Sequence, residues 1–168
     1  MLSKKLTEAL NEQVNAEFWS AYLYLSMSCD LYAQGFPGFS NWMHIQFQEE
    51  QDHALRLINY IASRGANVEL KPIAAVKQSW TNVLTLFEDT LAHEQKVTSL
   101  INSLNQLAID ENDFATQSAL KWFIDEQIEE EKNAQGIIDV IKLIGDNGYG
   151  LYNYDKELAT RTYSAPED

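Results

Sequence analysis

Glu50 and His53 stand three residues apart, a spacing that sets a carboxylate and an imidazole on one face of a helix. They sit in or beside the stripe Met43, Phe47, Glu50, Ala54, Leu57, Ile61, whose alternating three- and four-residue steps mark a core-facing seam. Three more stripes carry the same kind of interruption. Leu10, Val14, Glu17, Ala21, Tyr24, Ser28 and Leu31 contain Glu17, and Trp80, Leu84, Phe87, Leu91, Glu94, Thr98 and Ile101 contain Glu94. Leu120, Phe123, Gln127, Glu130, Ala134, Ile137, Ile141 and Ile144 contain Gln127 and Glu130. A buried, unpaired carboxylate costs several kcal/mol, and carboxylates gathered at one level raise one another's pKa. No stripe position is Lys or Arg, so a metal ion is the compensation that remains, with His53 as its nitrogen donor. An oxygen-rich, nitrogen-poor set suits iron or manganese better than a structural zinc. One Glu in a stripe is commonly a boundary residue that reaches water; four stripes broken at matching depth point to a shared site.

The elements that must hold these groups are helices, with no strand series. The first is expected over about 3–34, ending at Gly35-Phe36-Pro37-Gly38. The second starts near Ser40, read as its N-cap, and ends near Gly65. The third runs from Ser79 or Trp80 to about Ile109, the fourth from about Asp113 to Gly145, and a short fifth over about 151–160, followed by a polar tail. The turns at 35–39 and 110–112 are short, so each joins antiparallel neighbours. The stretch at about 66–78 is different: some 12 extended residues reach about 40 Å, the length of a helix of about 26 residues. The expected fold is therefore all-α, a four-helix bundle with one long crossover and a short C-terminal fifth helix. It forms one domain over 1–168, with the bundle at about 3–145.

Composition agrees and narrows the partners. The 168 residues are 45% hydrophobic, enough for a core, and three prolines and seven glycines leave room for long helices. A formal net charge of −13 repels phosphate backbones and attracts cations, so nucleic acid is a poor partner, none is expected, and cations are good ones. Cys29 is the only cysteine, so neither an intramolecular disulfide nor a four-cysteine metal site can form, as suits a reducing compartment. The N-terminus has no apolar signal core, and no apolar run approaches the ~20 residues of a membrane span. The expectation is a cytoplasmic protein with no membrane partner.

With Glu17, the run Glu49-Glu50-x-x-His53, Glu94 and the run Glu126-Gln127-x-Glu129-Glu130, essentially the whole chain resembles a bacterial non-haem ferritin, of the ferritin-like di-iron carboxylate family. The resemblance implies one iron position held by Glu17, Glu50 and His53. It implies a second held by Glu50 as bridge with Glu94 and Glu130, Gln127 lying close by, so two irons per subunit at a ferroxidase centre. Glu49, Glu126 and Glu129, with Glu130, match the third iron position of the bacterial branch, and Tyr24 matches a tyrosine beside the centre. The implied activity is oxidation of Fe(II) to Fe(III) by oxygen or hydrogen peroxide. Ferric mineral is then stored inside a homo-oligomeric hollow shell of twenty-four subunits. Two departures separate this chain from relatives of other kinds. Gln127-x-x-Glu130 replaces the second Glu-x-x-His of many di-iron proteins, and Gln51 stands where bacterioferritins place a haem-ligating Met, so no haem is expected.

Other residues keep two readings at this stage. Tyr24 is either a core tyrosine bonded to a site carboxylate or a one-electron donor; Trp122 raises the same question, packing being preferred. Glu129 and Glu131 could be a solvated face, which is preferred for Glu131 only. His44 and His93 lack ligand spacing and read as surface or structural, and Cys29 as a small core or interface filler. Trp19, Tyr22, Tyr32, Phe36, Phe39 and Trp42 cannot all face one seam, so some are expected at subunit contacts. The rivals are a DNA-protecting mini-ferritin, which the complete ligand set and acidic charge oppose, a di-iron oxygenase or peroxidase with an organic substrate, and a purely structural acidic bundle.

Overall fold

The computed structural model describes residues 1–165, and among these there are five helices and no strand. They are α1 (Lys4–Ala33), α2 (Pro37–Ser63), α3 (Val83–Asp110), α4 (Phe114–Ile144) and α5 (Gly148–Leu158). The last three positions of the expected polar tail, 166–168, lie outside the described residues. Starts and stops follow local chemistry. The Ser3 hydroxyl accepts from Leu6 N at 3.0 Å, Asp113 accepts from Thr116 N at 2.9 Å, and Asn82 and Thr85 close a capping box at the head of α3. Gly35, at φ +88°, takes the left-handed conformation that lets α1 stop, with Phe36 N returning to Leu31 O at 2.9 Å.

The expected N-cap of α2 is a correction. Ser40 lies inside the helix, buried, and donates its hydroxyl to Ser28 O at 2.8 Å. The helix starts at Pro37, whose missing N–H suits a first turn. Its next donors, Gly38 N and Phe39 N, are taken by the Asp155 carboxylate of α5 at 2.8 and 2.9 Å. Gly38 is required there, since a Cβ on it would lie 1.6 Å from the Asp155 carbonyl oxygen. Asp155→Ala should therefore cost about 1–2 kcal/mol, the scale of a lost helix cap, and loosen α5 from the bundle end. Hydrogen exchange in α5 and at the head of α2 is the measurement; unchanged protection there would refute the cap.

Two antiparallel pairs, α1 with α2 and α3 with α4, form the bundle, and α5 docks against α2. The connection from 64 to 82 is extended and runs along α1. Asn11 Nδ2 donates to Asn67 O at 3.0 Å, Asn11 Oδ1 accepts from Glu69 N at 2.8 Å, Ser26 donates to Lys77 O at 2.8 Å, and Asp30 accepts from Trp80 N at 3.0 Å. Arg64 closes the far corner with a two-bond fork to Asp113, at 3.0 and 2.8 Å, which joins the end of α2 to the start of α4.

The core falls into two apolar clusters. One lies at the α5 end and includes Met27, Leu31, Phe39, Met43, Phe87 and Ile138; the other lies at the opposite end and includes Leu6, Leu10, Leu57, Ile61, Ile101 and Leu120. Between them, at mid-length of every long helix, sits a buried polar layer containing Glu17, Glu50, His53, Glu94, Gln127 and Glu130. The stripes of α1 and α4 match the buried faces almost position for position, while on α3 Val97 is buried where Thr98 is only half-buried.

Candidate metal centre

Each long helix delivers its acid to this layer because the apolar residues one turn away, such as Val14 and Ala21 around Glu17, turn that face inward. One ligand atom each from Glu17, Glu50 and His53 lies within 4.8 Å of the others, and all three residues are buried. His53 Nδ1 stands 3.6 Å from Glu50 Oε2. Glu94 reaches the layer from α3, where it accepts from the Tyr24 hydroxyl and, at 3.0 Å, from Gln127 Nε2. Glu130, from α4, accepts from Gln46 Nε2 at 2.8 Å, and Glu17 accepts from Gln13 Nε2 at 2.8 Å. Glu17 Oε2 and Glu50 Oε2 are buried without a hydrogen-bond partner. Protein interiors ordinarily avoid an orphaned carboxylate oxygen, and two beside an imidazole form a cation's donor set. The residues present fit iron as substrate or another divalent ion.

Electrostatics point the same way. Burial, and after it the neighbouring Glu50, pushes the Glu17 carboxyl well above its ordinary range. Glu50 is raised by burial and then by Glu94 and Glu130; Glu94 is raised by burial. Burial, then Glu94, lifts Glu130 to about 8. The Tyr24 phenol is likewise raised by burial, then by Glu94 and Glu50, so it stays a hydrogen-bond donor. With no cation the layer is self-repelling; a cation would reverse that.

A second group adjoins it. His53, Glu126 and Glu130 also offer ligand atoms within 4.8 Å of one another. They border a cavity of about 280 Å³ that is lined as well by Glu49, Trp122, Glu129, Asn133, Arg161 and Ser164. Glu129 is exposed on its rim, and Glu126 and Glu49 are half-buried. Burial raises both of these carboxyls, Arg161 opposing at Glu49 and His53 at Glu126. The structure thus groups Glu17, Glu50 and His53, links Glu94 to Tyr24 and Gln127, and arranges Glu49, Glu126 and Glu129 around an opening beside them.

Several groups near the site escaped the sequence reading. Gln13 is four residues before Glu17, a signal that was available, whereas Gln46 bonds Glu130 from a different helix, which spacing does not show. Arg161 was not legible: it lies in the terminal tail, yet its Nη2 donates to both oxygens of Glu49 at 2.7 and 3.0 Å, so the site does have a basic partner. His93 is held by Ser20 at 2.7 Å, its ring 5.9 Å from that of Tyr24, and burial lowers it to about 4, which makes it a neutral structural group. His44 is exposed, and Glu131 accepts from Thr98 at 2.5 Å. Trp122 packs edge-on to Phe123 and lies 5.3 Å from the His53 ring. Cys29 is exposed rather than a core filler, in a shallow depression with Tyr22 and Val76. Phe39 and Trp42 belong to the core, while Tyr22 and Tyr32 are 49% and 71% exposed. Among the described residues no helix is long and apolar enough to cross a membrane.

Comparison with known proteins gives the same direction from three sides. Residues 7–144 match the ferritin family, described as a ferritin-like domain. A bacterial non-heme ferritin of Staphylococcus aureus is 41% identical over 97% of this chain and 98% of its own length. One of Bacteroides fragilis is 44% identical over 96% of this chain and 100% of its own. Among solved structures, an open pore ferritin from the hyperthermophilic archaeon Archaeoglobus fulgidus superposes with a TM-score of 0.95 at 42% identity, covering 96% of this chain and 100% of that one.

Proposed function

The chain belongs to the ferritin family, and from that membership we propose that it stores iron, oxidising Fe(II) to Fe(III) at the mid-bundle carboxylate layer and depositing ferric mineral inside a shell of its own copies. The observation that carries the reading is the pair of orphaned oxygens, Glu17 Oε2 and Glu50 Oε2, beside His53. Glu17, Glu50 and His53 take one Fe(II) as substrate. Glu94 and Glu130 take the second, with Glu50 shared and Gln127 and Tyr24 fixing Glu94. Each Fe(II) gives up one electron. Oxygen accepts the pair with two protons and leaves as hydrogen peroxide, or peroxide accepts it with two protons and leaves as two waters. The carboxylates favour the ferric product because their charge offsets its added positive charge. Glu49, Glu126 and Glu129, with Glu130, offer a wetter third position on the way out.

The cavity beside the layer supports this over oxidation of an organic substrate. Glu49, Glu126, Glu129 and Asn133 make its wall acidic and polar, which suits a hydrated cation and not an apolar molecule. The exposed Tyr22 and Tyr32 on α1, with Leu70 and Ile73 on the crossover, support burial against other copies in a shell of twenty-four. A single domain over 1–168 and a cytoplasmic location complete the proposal.

The test is anaerobic Fe(II) titration followed by oxygen on a size-fractionated sample. Binding should saturate near two irons per chain. After oxygen, a large assembly should retain hundreds of irons. A monomer or dimer that keeps only two per chain would overturn storage; no stoichiometric binding would overturn the metal centre.

A further inference from the structure

Glu49, half-buried beside the metal-centre layer, differs from the other acids around it. Glu49 has its charge met from outside the four helices, by the terminal segment. Asn41 Nδ2 on α2 donates to Leu158 O at 3.3 Å and Arg161 O at 3.0 Å, so the chain after α5 is laid against α2. The Arg161 guanidinium then covers the Trp42 ring, 4.7 Å from its centroid. Nη2 donates to both oxygens of Glu49, at 3.0 and 2.7 Å, and Nη1 donates to Gln46 Oε1 at 2.7 Å. Because the Gln46 amide turns its oxygen to Arg161, its nitrogen faces the other way, where it donates to Glu130 Oε2 at 2.8 Å. One side chain therefore acts on two acids, directly on Glu49 and through Gln46 on Glu130. Both acids line the cavity into which Ser164 of the same segment also projects.

The planar guanidinium holds its two terminal nitrogens in one fixed geometry, so it serves the carboxylate and the amide together. Arg161 and Glu49 are each only about a quarter exposed, at 24% and 23%, so the pair is shielded more than an ordinary surface pair. A cation entering the cavity meets His53, Glu126 and Glu130 within ligand distance of one another, while Glu49 is already engaged.

We propose that Arg161 is a positioning residue for the outer cation position. It withholds Glu49, so His53, Glu126 and Glu130 make the first contacts, and a cation that recruits Glu49 must displace the guanidinium and release the segment 161–164. The outer position is thereby kept weak while the inner layer fills, and its occupancy is reported at the protein surface. This rests on the metal-centre reading above.

Calorimetric titration of Zn²⁺, which is redox-inert, into the metal-free assembled protein tests it. In Arg161→Ala the outer affinity should rise about tenfold, the scale of one shielded charge-assisted pair, with the position at Glu17, Glu50 and His53 unchanged. Arg161→Lys should fall between the two, since it keeps the charge but loses the second donor arm. In a Glu49→Gln background the effect of Arg161→Ala should shrink below about twofold. Excess Zn²⁺ should also speed hydrogen exchange over residues 159–165 of the wild type. A tenfold gain that persists with Gln at position 49 would mean that Arg161 acts through Gln46 or as a distant charge rather than by withholding Glu49, and would overturn the proposal. So would an unchanged outer affinity, or exchange that ignores Zn²⁺. Absence of inner binding in the wild type would overturn the metal-centre reading itself, a result distinct from failure of the latch alone.

Discussion

His53→Ala lowers the rate of Fe(II) oxidation by about a hundredfold or more while the helices and the assembly persist. Changing a group that merely supports a ligand already costs about 10–100-fold, and His53 offers the nitrogen donor common to both candidate triads. The fold should survive, because the ring's packing against Trp122 and Phe123 is only one part of a core with two large apolar clusters. Glu17→Ala should behave alike, and with one buried acid fewer the metal-free bundle need not lose stability. Stopped-flow oxidation, with circular dichroism and light scattering on the same samples, is the measurement. Wild-type oxidation by His53→Ala would mean that the reactive site lies elsewhere.

The metal-free protein loses stability as pH rises from about 6.5 to about 8, and a bound divalent cation reverses the trend. Glu17, Glu50, Glu94 and Glu130 all have folded pKa values raised above the ordinary 4.5, Glu130 to about 8. In this window Glu130 therefore holds, in the folded state, a proton that the unfolded chain has released, and its raised neighbours act in the same sense. Stability falls with pH wherever the folded state binds more protons, by about 1.4 kcal/mol per pH unit for each proton fully retained. His93 works in the opposite sense but lower down: its folded pKa, about 4, lies below the ordinary 6.5, so its share of stability is lost on acidification through that range. Keeping above about 6.5 separates the two. Zn²⁺ binds the deprotonated carboxylates, so its stabilisation grows with pH, reaching about 4 kcal/mol at a thousandfold excess over Kd. Scanning calorimetry with and without Zn²⁺ should show the two Tm curves diverging toward the alkaline end. Parallel curves would deny that these acids share a buried layer.

The parts of the molecule legible from sequence are those built on period. Stripes with glutamates at mid-length located the four long helices and the acids on them, because burial of a helix face repeats every three or four residues. The length of the stretch at about 66–78 gave the crossover, which in the structure spans 64–82. What escaped depends on contacts between distant parts of the chain, which leave no periodic trace. Ser40 looked like a cap and is a buried hydrogen-bonding residue, since Asp155, 117 residues from Gly38, takes the capping role. Arg161 could not be connected with Glu49 until α5 was seen to fold back on α2. Gln13 falls between, since its four-residue spacing to Glu17 is visible in the sequence but its hydrogen bond is not.

The polar layer has one more consequence. Helices with unbroken apolar stripes can slide past each other by a turn and still bury oil against oil. Here a slip of α2 by one turn, about 5.4 Å, would bring Phe47 or Ala54 to the level of Glu17, Glu94 and Glu130 and drive Glu50 into an apolar cluster without partners. Every such misalignment strands a charge, and stranding a buried charge costs several kcal/mol. The same carboxylates that weaken the bundle when empty thus set its register, so the chemistry of the centre also tells the four helices where to stop.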